Sequence, residues 1–491
     1  MNKFYYLFLV LIVLNYKNIA WTQVIAEDLK IYSENPFYWE YKNEPVLLLG
    51  ASDDDNLFQM DTLESHLDLL QSVGGNYIRC TMSSRDEGNV KPFEKISGKY
   101  DLNKPNPEYW NRFENLLKLS AERNIIVQVE IWATYDFYWN ENRWDNNPFN
   151  PAVNNNYTSE NSGLPDFIDY PAQSKINPFF NSVAALENNK LLLVFQQKFV
   201  DQLLSISLNY LNVLYCIDNE TCASKEWGKH WSSYIRRKAV AANREILVTE
   251  MWDNWDPTDG RVEEALSQNP DLGDWFAKYT NMELHDQAKA VNTIEDTASY
   301  QFVDISNNNA QSGEIHFWTC DRVRSLVRGS GKKRPINNVK IYGGTLEGQI
   351  WAGTAKDGTE RFWRNIFLGH AAARFHRPPA GLGLNEVTMA NIKSMRMLLA
   401  EFNLFKSTEA TNVLLGEREE NEAYCRVNPE QGFIIYFPNG GEVFLRAYER
   451  KYEVKKLNIA TSVWTQKEIV QLEGKIKTPT GEQWAVLIKK M

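Results

Sequence analysis

The chain has 491 residues, with 53 Lys+Arg against 63 Asp+Glu and a formal net charge of −10. Its 43% apolar and 24% charged content is that of an ordinary globular protein, which excludes disordered and collagen-like classes. The acidic balance, without basic blocks, excludes a nucleic-acid-binding surface, because phosphates need clustered Lys and Arg.

In chain order, Lys3 precedes an apolar run from Phe4 to Leu14. Eleven apolar residues fall short of the ~20 that a membrane span needs and suit the core of a secretory signal. Residues 1–22 are therefore read as a signal peptide, with a mature chain that is exported and has no membrane span. Next, Pro36–Glu40 and Glu44–Leu47 flank the turn Tyr41-Lys42-Asn43, which predicts a hairpin leading into the first strand and plugging the floor of the fold.

From Val46 onward, short apolar runs alternate with amphipathic stretches, the pattern of βα units and a parallel sheet. Strands are expected at 46–52, 77–83, 125–132, 213–219, 246–252, 300–305, 338–343 and 371–376. Helical patterns at 107–124, 187–208 and 226–243 lie between them. Eight such strands point to an α/β fold, a (β/α)8 TIM barrel over 23–405, and no G-x-G-x-x-G follows the first strand to suggest a dinucleotide fold. The segment 133–185 is a long Asn- and Pro-rich insertion after strand three, read as a lid over the barrel mouth. Beyond residue 405 the helical period disappears. Short β segments separated by turns then predict a small C-terminal antiparallel β-sandwich over 406–491.

Catalytic groups of a barrel stand at the C-terminal ends of its strands. Those ends carry Asp53-Asp54-Asp55, Arg79, Glu130, Trp132, Asn219-Glu220, Glu250, Trp252, Tyr342 and His376, with Glu347 just past strand seven. Glycoside hydrolysis needs this inventory: one acid for the leaving oxygen and a second carboxylate as nucleophile or base. Aromatic faces such as Trp132, Tyr135, Trp139, Trp144, Trp252, Trp255 and Trp351 would stack on sugar rings. Arg79, Arg85, Arg374 and Arg377 would either pair with the rim acids or clamp an anionic substituent. The six His and five Cys have no metal-ligand spacing, so no metal or cofactor is expected.

The opening PFYWEYKNEPVLLLGAS, the Asn219-Glu220 strand end, and the stretches NTIEDTASYQFVDISNNN, RPINNVKIYGG and ERFWRNIFLGHAAARFHRPPAGLGL resemble glycoside hydrolase clan A-like barrels. The nearest group is that of exported bacterial cellulase-like or apiosidase-like proteins with a C-terminal sandwich labelled collagen-binding. This resemblance implies that Glu220 is the general acid/base. It also implies a nucleophilic Glu at the end of strand seven, where Tyr342-Gly343-Gly344 offers no carboxylate. Glu347 or Glu250 is then the second catalytic carboxylate, with Glu250 ranked first because it ends a clear β run. Asp54, Arg79, Glu130, Trp132, Asn219, Trp252, Tyr342 and His376 are the expected substrate-binding residues. The expected function is hydrolysis of a polysaccharide or oligosaccharide. The alternatives are a non-catalytic carbohydrate-binding protein on a degenerate barrel, or a polysaccharide lyase with a Tyr, His or Lys base.

Overall fold

In the computed structural model, which describes residues 29–169, 177–252, 291–306, 311–344, 352–415, 423–446, 451–471 and 475–491, all eight expected barrel strands are present. They are Leu48–Ala51, Tyr77–Thr81, Ile126–Trp132, Val213–Asp218, Val248–Thr249, Val303–Asp304, Ile336–Ile341 and Ala372–Phe375, numbered one to eight below. All pair in parallel in one sheet, in the order five, four, three, two, one, eight, seven, six. The two ends are joined by the Gln301 amide donating to the Val248 carbonyl at 2.8 Å and by Thr249 Oγ1 donating to the Phe302 carbonyl at 2.9 Å. The sheet is therefore wrapped into a barrel, as the alternating pattern predicted.

Helices form its outer layer, and short polar residues start them. Asn106 accepts from the Glu108 amide ahead of Pro107–Glu122, and Asn189 from the Leu192 amide ahead of Lys190–Ser207. Thr354 and Asp357 form a reciprocal capping box for Ala355–Leu368, which Gly369 ends in the left-handed region at φ 88°.

The floor is closed as expected. The hairpin Trp39–Tyr41 with Glu44–Val46 gains a third strand, Lys30–Ile31, and Trp39 is fully buried. Its indole donates to Asn337 Oδ1 at 3.0 Å and meets Phe302 edge-on at 5.3 Å. Above that plug the barrel interior is unusually polar for a fold whose inner layers are mostly branched aliphatics. Asn337 Nδ2 donates to Tyr77 Oη at 3.0 Å, Tyr77 to Gln128 Oε1 at 2.6 Å, and Gln128 to Asp304 Oδ2 at 2.8 Å. Arg79, Glu130 and Arg374 are also fully buried.

Among its described residues, the insertion after strand three contains only single turns, Tyr135–Tyr138, Trp144–Asn146, Ser159–Ser162 and Pro178–Asn181. Its asparagines explain its order: Asn147, Asn150 and Asn154 are buried, and each turns the chain through its side-chain oxygen. An additional hairpin, Phe93–Ile96 with Lys99–Pro105, follows strand two and was not expected from the sequence. It ties down the insertion through Tyr100 and Val153 at 2.8 Å.

The C-terminal segment is antiparallel and two-layered. One sheet includes Tyr424–Asn428, Gly432–Phe437, Trp484–Lys490 and Lys451–Asn458. The other pairs Leu414–Leu415, Gly441–Leu445 and Lys475–Thr478. Strand alternation divides its side chains between two cores. Ile435, Phe437, Val486 and Ile488 pack inside the sandwich, whereas Ile434, Tyr436, Ala485 and Leu487 join the core of the barrel. Tyr436 stacks on Trp363 at 5.3 Å, and the buried Arg426 reaches the Phe367 carbonyl at 2.8 Å. No helix among the described residues is long and apolar enough to cross a membrane. Residues 1–22, Trp255, Glu347 and Trp351 lie outside the described residues.

Candidate active site

The C-terminal mouth of the barrel is organised by charge pairing. Asp55, just after strand one, is buried and receives Arg79 Nη2, Arg85 Nη2 at 3.0 Å and Arg377 Nε at 2.7 Å. Burial pushes its carboxyl up, but the Arg79, Arg377 and Arg85 guanidiniums together hold it well below the usual carboxylate range. Arg79 Nη1 also meets both oxygens of Glu130 at 3.0 Å and Asn219 Oδ1 at 3.4 Å. Arg85 continues to Asp136 Oδ1 at 3.3 Å. Three of the four predicted rim arginines are thus engaged by rim acids. The fourth, Arg374, donates to Ser52 Oγ and the Val339 carbonyl.

Asn219 and Glu220 follow strand four, and Glu220 has φ 57°, a conformation uncommon for a residue with a Cβ. The turn is held from several sides. The Asn219 amide donates to the Trp132 carbonyl at 2.9 Å, the Thr221 amide to the Met251 carbonyl at 2.8 Å, and Thr134 Oγ1 to the Glu220 carbonyl at 3.0 Å. Such over-determined strain is typical of functional positions.

Lys340 of strand seven completes the group, a residue that sequence reasoning did not select. Its Nζ lies 2.6 Å from Glu220 Oε1 and 2.7 Å from Asn219 Oδ1. A bulge brings it there. Between Asn338 and Ile341 strand seven has one residue more than the facing stretch Ala373–Phe375 of strand eight. Asn337 points into the barrel, so strict alternation would turn Lys340 outward, and the extra residue reverses it. The signal that was available is a lysine inside an apolar strand, which needs a partner when buried.

Glu220 is the solvent-facing member of the cluster, with 35% of its side chain exposed. Burial raises its carboxyl, and the adjacent Lys340 ammonium outweighs this, so the net displacement is downward. Glu130 is the opposite case: it is sealed beneath Arg79, and burial leaves it raised despite Arg79 and Lys340. His376 sits 3.8 Å from Asp55 and packs edge-on against Tyr342 at 5.0 Å. Burial lowers its imidazole well below the ordinary value, so it is neutral. The mouth therefore assembles Arg79, Glu130, Asn219, Glu220, Tyr342 and His376 from the predicted set. Asp54 lies beside it, its Oδ1 capping the amides of Asp55 and Asn56 at 2.6 and 3.3 Å.

Other predicted residues are placed elsewhere. Glu250 does not meet Glu220. Thr249 pairs in register with the inward Cys216, and Val248 with Tyr215, whose hydroxyl reaches Ser207 in the outer layer. One residue further along, Glu250 faces outward against helix Lys225–Ala241, where its Oε2 would lie 2.7 Å from a Cβ on Gly228. Trp132 is 1% exposed and stacked on Phe199 at 5.2 Å, so it is core rather than a sugar platform. Trp144 is fully buried, and Trp252 is nearly so, donating to Thr293 Oγ1 at 2.9 Å. Tyr135 and Trp139, like Tyr342, are half-buried at the rim; they lie 5.6 Å apart, with the Arg85 and Arg143 guanidiniums 5.3 and 4.6 Å from the Tyr135 ring. Among the described residues no group of three or more His, Cys, Asp or Glu is disposed to hold a metal ion.

No family model and no curated protein matches the sequence. Among solved structures the chain is similar to a glycoside hydrolase family 5 protein from Bacteroides vulgatus, at 12% identity over 94% of each chain with a TM-score of 0.55. It is also similar to a glycoside hydrolase at 11% identity, covering 94% of this chain and 97% of that one, with a TM-score of 0.57. The likeness is one of fold. It spans nearly the whole of both chains, barrel and C-terminal module together.

Proposed function

We propose that the chain is an exported glycosidase and that Glu220 is its acid/base carboxylate. One observation carries the reading: at the mouth of a barrel like those of glycoside hydrolases, Asn219 and Glu220 are presented on a strained turn with the carboxylate open to solvent. Lys340 keeps Glu220 ionised, so it starts as a base or charge stabiliser. Its acid role begins once an incoming sugar hydroxyl displaces the ammonium or a proton is taken up. Asn219 and His376 would position hydroxyls, with the buried Arg79 holding Asn219 in place, and Tyr135 and Trp139 would take the apolar faces of sugar rings. The second carboxylate is assigned to Glu347, since Glu250 faces the helix layer and Glu130 is closed off by Arg79. Export rests on the apolar run Phe4–Leu14.

A panel of neutral and acidic polysaccharides, read by released reducing ends, tests the reading. Glu220→Gln is expected to lower turnover by about 10²–10⁴-fold. Wild-type turnover in that variant would sink the assignment. A lyase reading has one specific support, the Lys340 ammonium at the mouth in place of a strand-seven carboxylate. It predicts unsaturated products absorbing in the ultraviolet from uronate polymers, and no gain of simple reducing sugars from neutral ones.

A further inference from the structure

Behind the mouth, on the outer side of strands four and five, two carboxyls share a dry site that the reaction does not use. Glu250 is 1% exposed and Asp218 fully buried. Glu250 Oε1 accepts the amides of Asp218 at 2.9 Å and Met251 at 3.1 Å. Asp218 accepts the Trp227 indole at 3.0 and 3.3 Å. Among the described residues Glu250 Oε2 and Tyr300 Oη have no hydrogen-bond partner, and both close on the same point above Gly228, where a Cβ would meet them at 2.7 and 2.4 Å. Only glycine leaves room there.

We propose that Glu250 is a positioning residue for Glu220, its protonated carboxyl clamping the strand ends so that the turn at Asn219-Glu220 stays in its strained form. The proposal rests on the reading of Glu220 as the reactive carboxylate. The clamp acts through two links. Oε1 ties the amide at the start of the turn to strand five, and the Met251 carbonyl, one bond further along the same chain, receives the Thr221 amide at its end. The turn is thus held at both ends by the residue pair Glu250-Met251.

The charge state follows from the surroundings. Asp218 faces the site from strand four, Trp227 and Gly228 from the helix, and Tyr300 from the segment before strand six, while the inward Cys216 feels Glu250 from the other face of strand four. Asp296, paired with Lys229 at 3.5 Å, acts on Tyr300 from beyond. Among the described residues no Lys, Arg or His contacts either carboxyl. Burial, reinforced for Glu250 by Asp218, raises Glu250 well above the ordinary range, and burial raises Asp218 to about 7. Two adjacent buried anions without a cation are strongly unfavourable, so the pair holds at least one proton at neutral pH. Raising the pH removes it; the two amide bonds to Oε1 favour the anion, but the uncompensated charge buried beside Asp218 outweighs them, so the strand ends open to water and the turn loosens.

Hydrogen exchange of the peptide spanning strand four and the turn, corrected for intrinsic rate, tests this on the full chain without any ligand. Wild-type protection is expected to fall roughly tenfold or more between about pH 6 and about pH 9. Glu250→Gln, which keeps an acceptor for both amides, and Asp218→Asn are expected to hold their protection across that range. Glu250→Ala is expected to lose it throughout. In the glycan panel Glu250→Gln should retain turnover within about threefold, with its alkaline limb moved to higher pH. The proposal is overturned if wild-type protection is flat with pH, or if Glu250→Gln exchanges like Glu250→Ala. It is also overturned if Glu250→Gln loses turnover as completely as Glu220→Gln while its protection is intact, since that is the signature of a catalytic carboxylate. Should Glu220→Gln stay active while the exchange results hold, the reading of Glu220 fails and the clamp stands.

Discussion

Replacing Lys340 by Met keeps the length and apolar stem of the side chain and removes the ammonium that faces Glu220. At 2.6 Å and an effective dielectric constant of ~20, the bare attraction is about 6 kcal/mol. That figure is an upper bound, because both groups give up hydration to meet. A fully buried pair broken on one side costs ~3–5 kcal/mol, and the 35% exposure of Glu220 lets water screen part of that, leaving ~1–3 kcal/mol. The pH dependence has a definite sign. The Glu220 carboxyl is lowered in the folded protein, so the pair stabilises above the unfolded value of ~4.3 and loses that contribution as pH falls through the folded value. Lys340→Met also strips Asn219 Oδ1 of its 2.7 Å donor, so the single variant overstates the pair. A double-mutant cycle of Lys340→Met with Glu220→Gln, read by urea unfolding, isolates it. The expected coupling is ~1–3 kcal/mol at neutral pH and shrinks toward zero in acid. A coupling under ~0.5 kcal/mol at neutral pH, or one unchanged in acid, would refute the argument.

Three further outcomes follow from the packing. Trp39→Ala should lower unfolding free energy by ~3–5 kcal/mol, measured by urea denaturation, because it empties the barrel floor and leaves Asn337 Oδ1 without its donor. Gly228→Ala puts a methyl between Glu250 Oε2 and Tyr300 Oη and should cost ~1–3 kcal/mol, despite the usual helical advantage of Ala over Gly; a neutral or stabilising result in thermal unfolding would contradict the tight approach. Arg426→Met removes donors to the Phe367 carbonyl, the Ser407 carbonyl and hydroxyl, and Tyr38 Oη, and should expose the barrel–sandwich contact to limited proteolysis at temperatures where the wild type resists.

Much of the fold was legible because it repeats one local pattern. Each barrel strand is a short buried run bounded by turn residues, and each helix carries an apolar stripe and often a capping Asn, Ser or Thr. The floor hairpin could be read from Tyr41-Lys42-Asn43, where Lys42 and Asn43 take positive φ of 54° and 63°. The hairpin at 93–105 was missed because its strands expose Glu94, Lys95, Lys99 and Asn103 and present few apolar residues. At the site, Asn219-Glu220 was legible as a strand-end pair. Glu250 was misplaced because a strand end gives a side chain's height in the barrel but not its face. The aromatic residues were misread for a related reason: Trp132 ends the strand that Tyr135, Trp139 and Trp144 follow, and only packing separates core from rim.

The amino-acid sequence by itself determined the barrel, the order and approximate place of its strands, the floor hairpin and the C-terminal sandwich, because those follow from periodicity and turn chemistry within a few residues of each position. Tertiary structure alone decided the electrostatics of the mouth. A one-residue bulge turns Lys340 onto Glu220, three arginines from the ends of strands two and eight converge on Asp55 after strand one, and the pleat sends Glu250 to the far side, beside Asp218 and Tyr300. Each of these pairs is distant along the chain. Their energies depend on burial and on separations of a few ångströms, which no local pattern encodes.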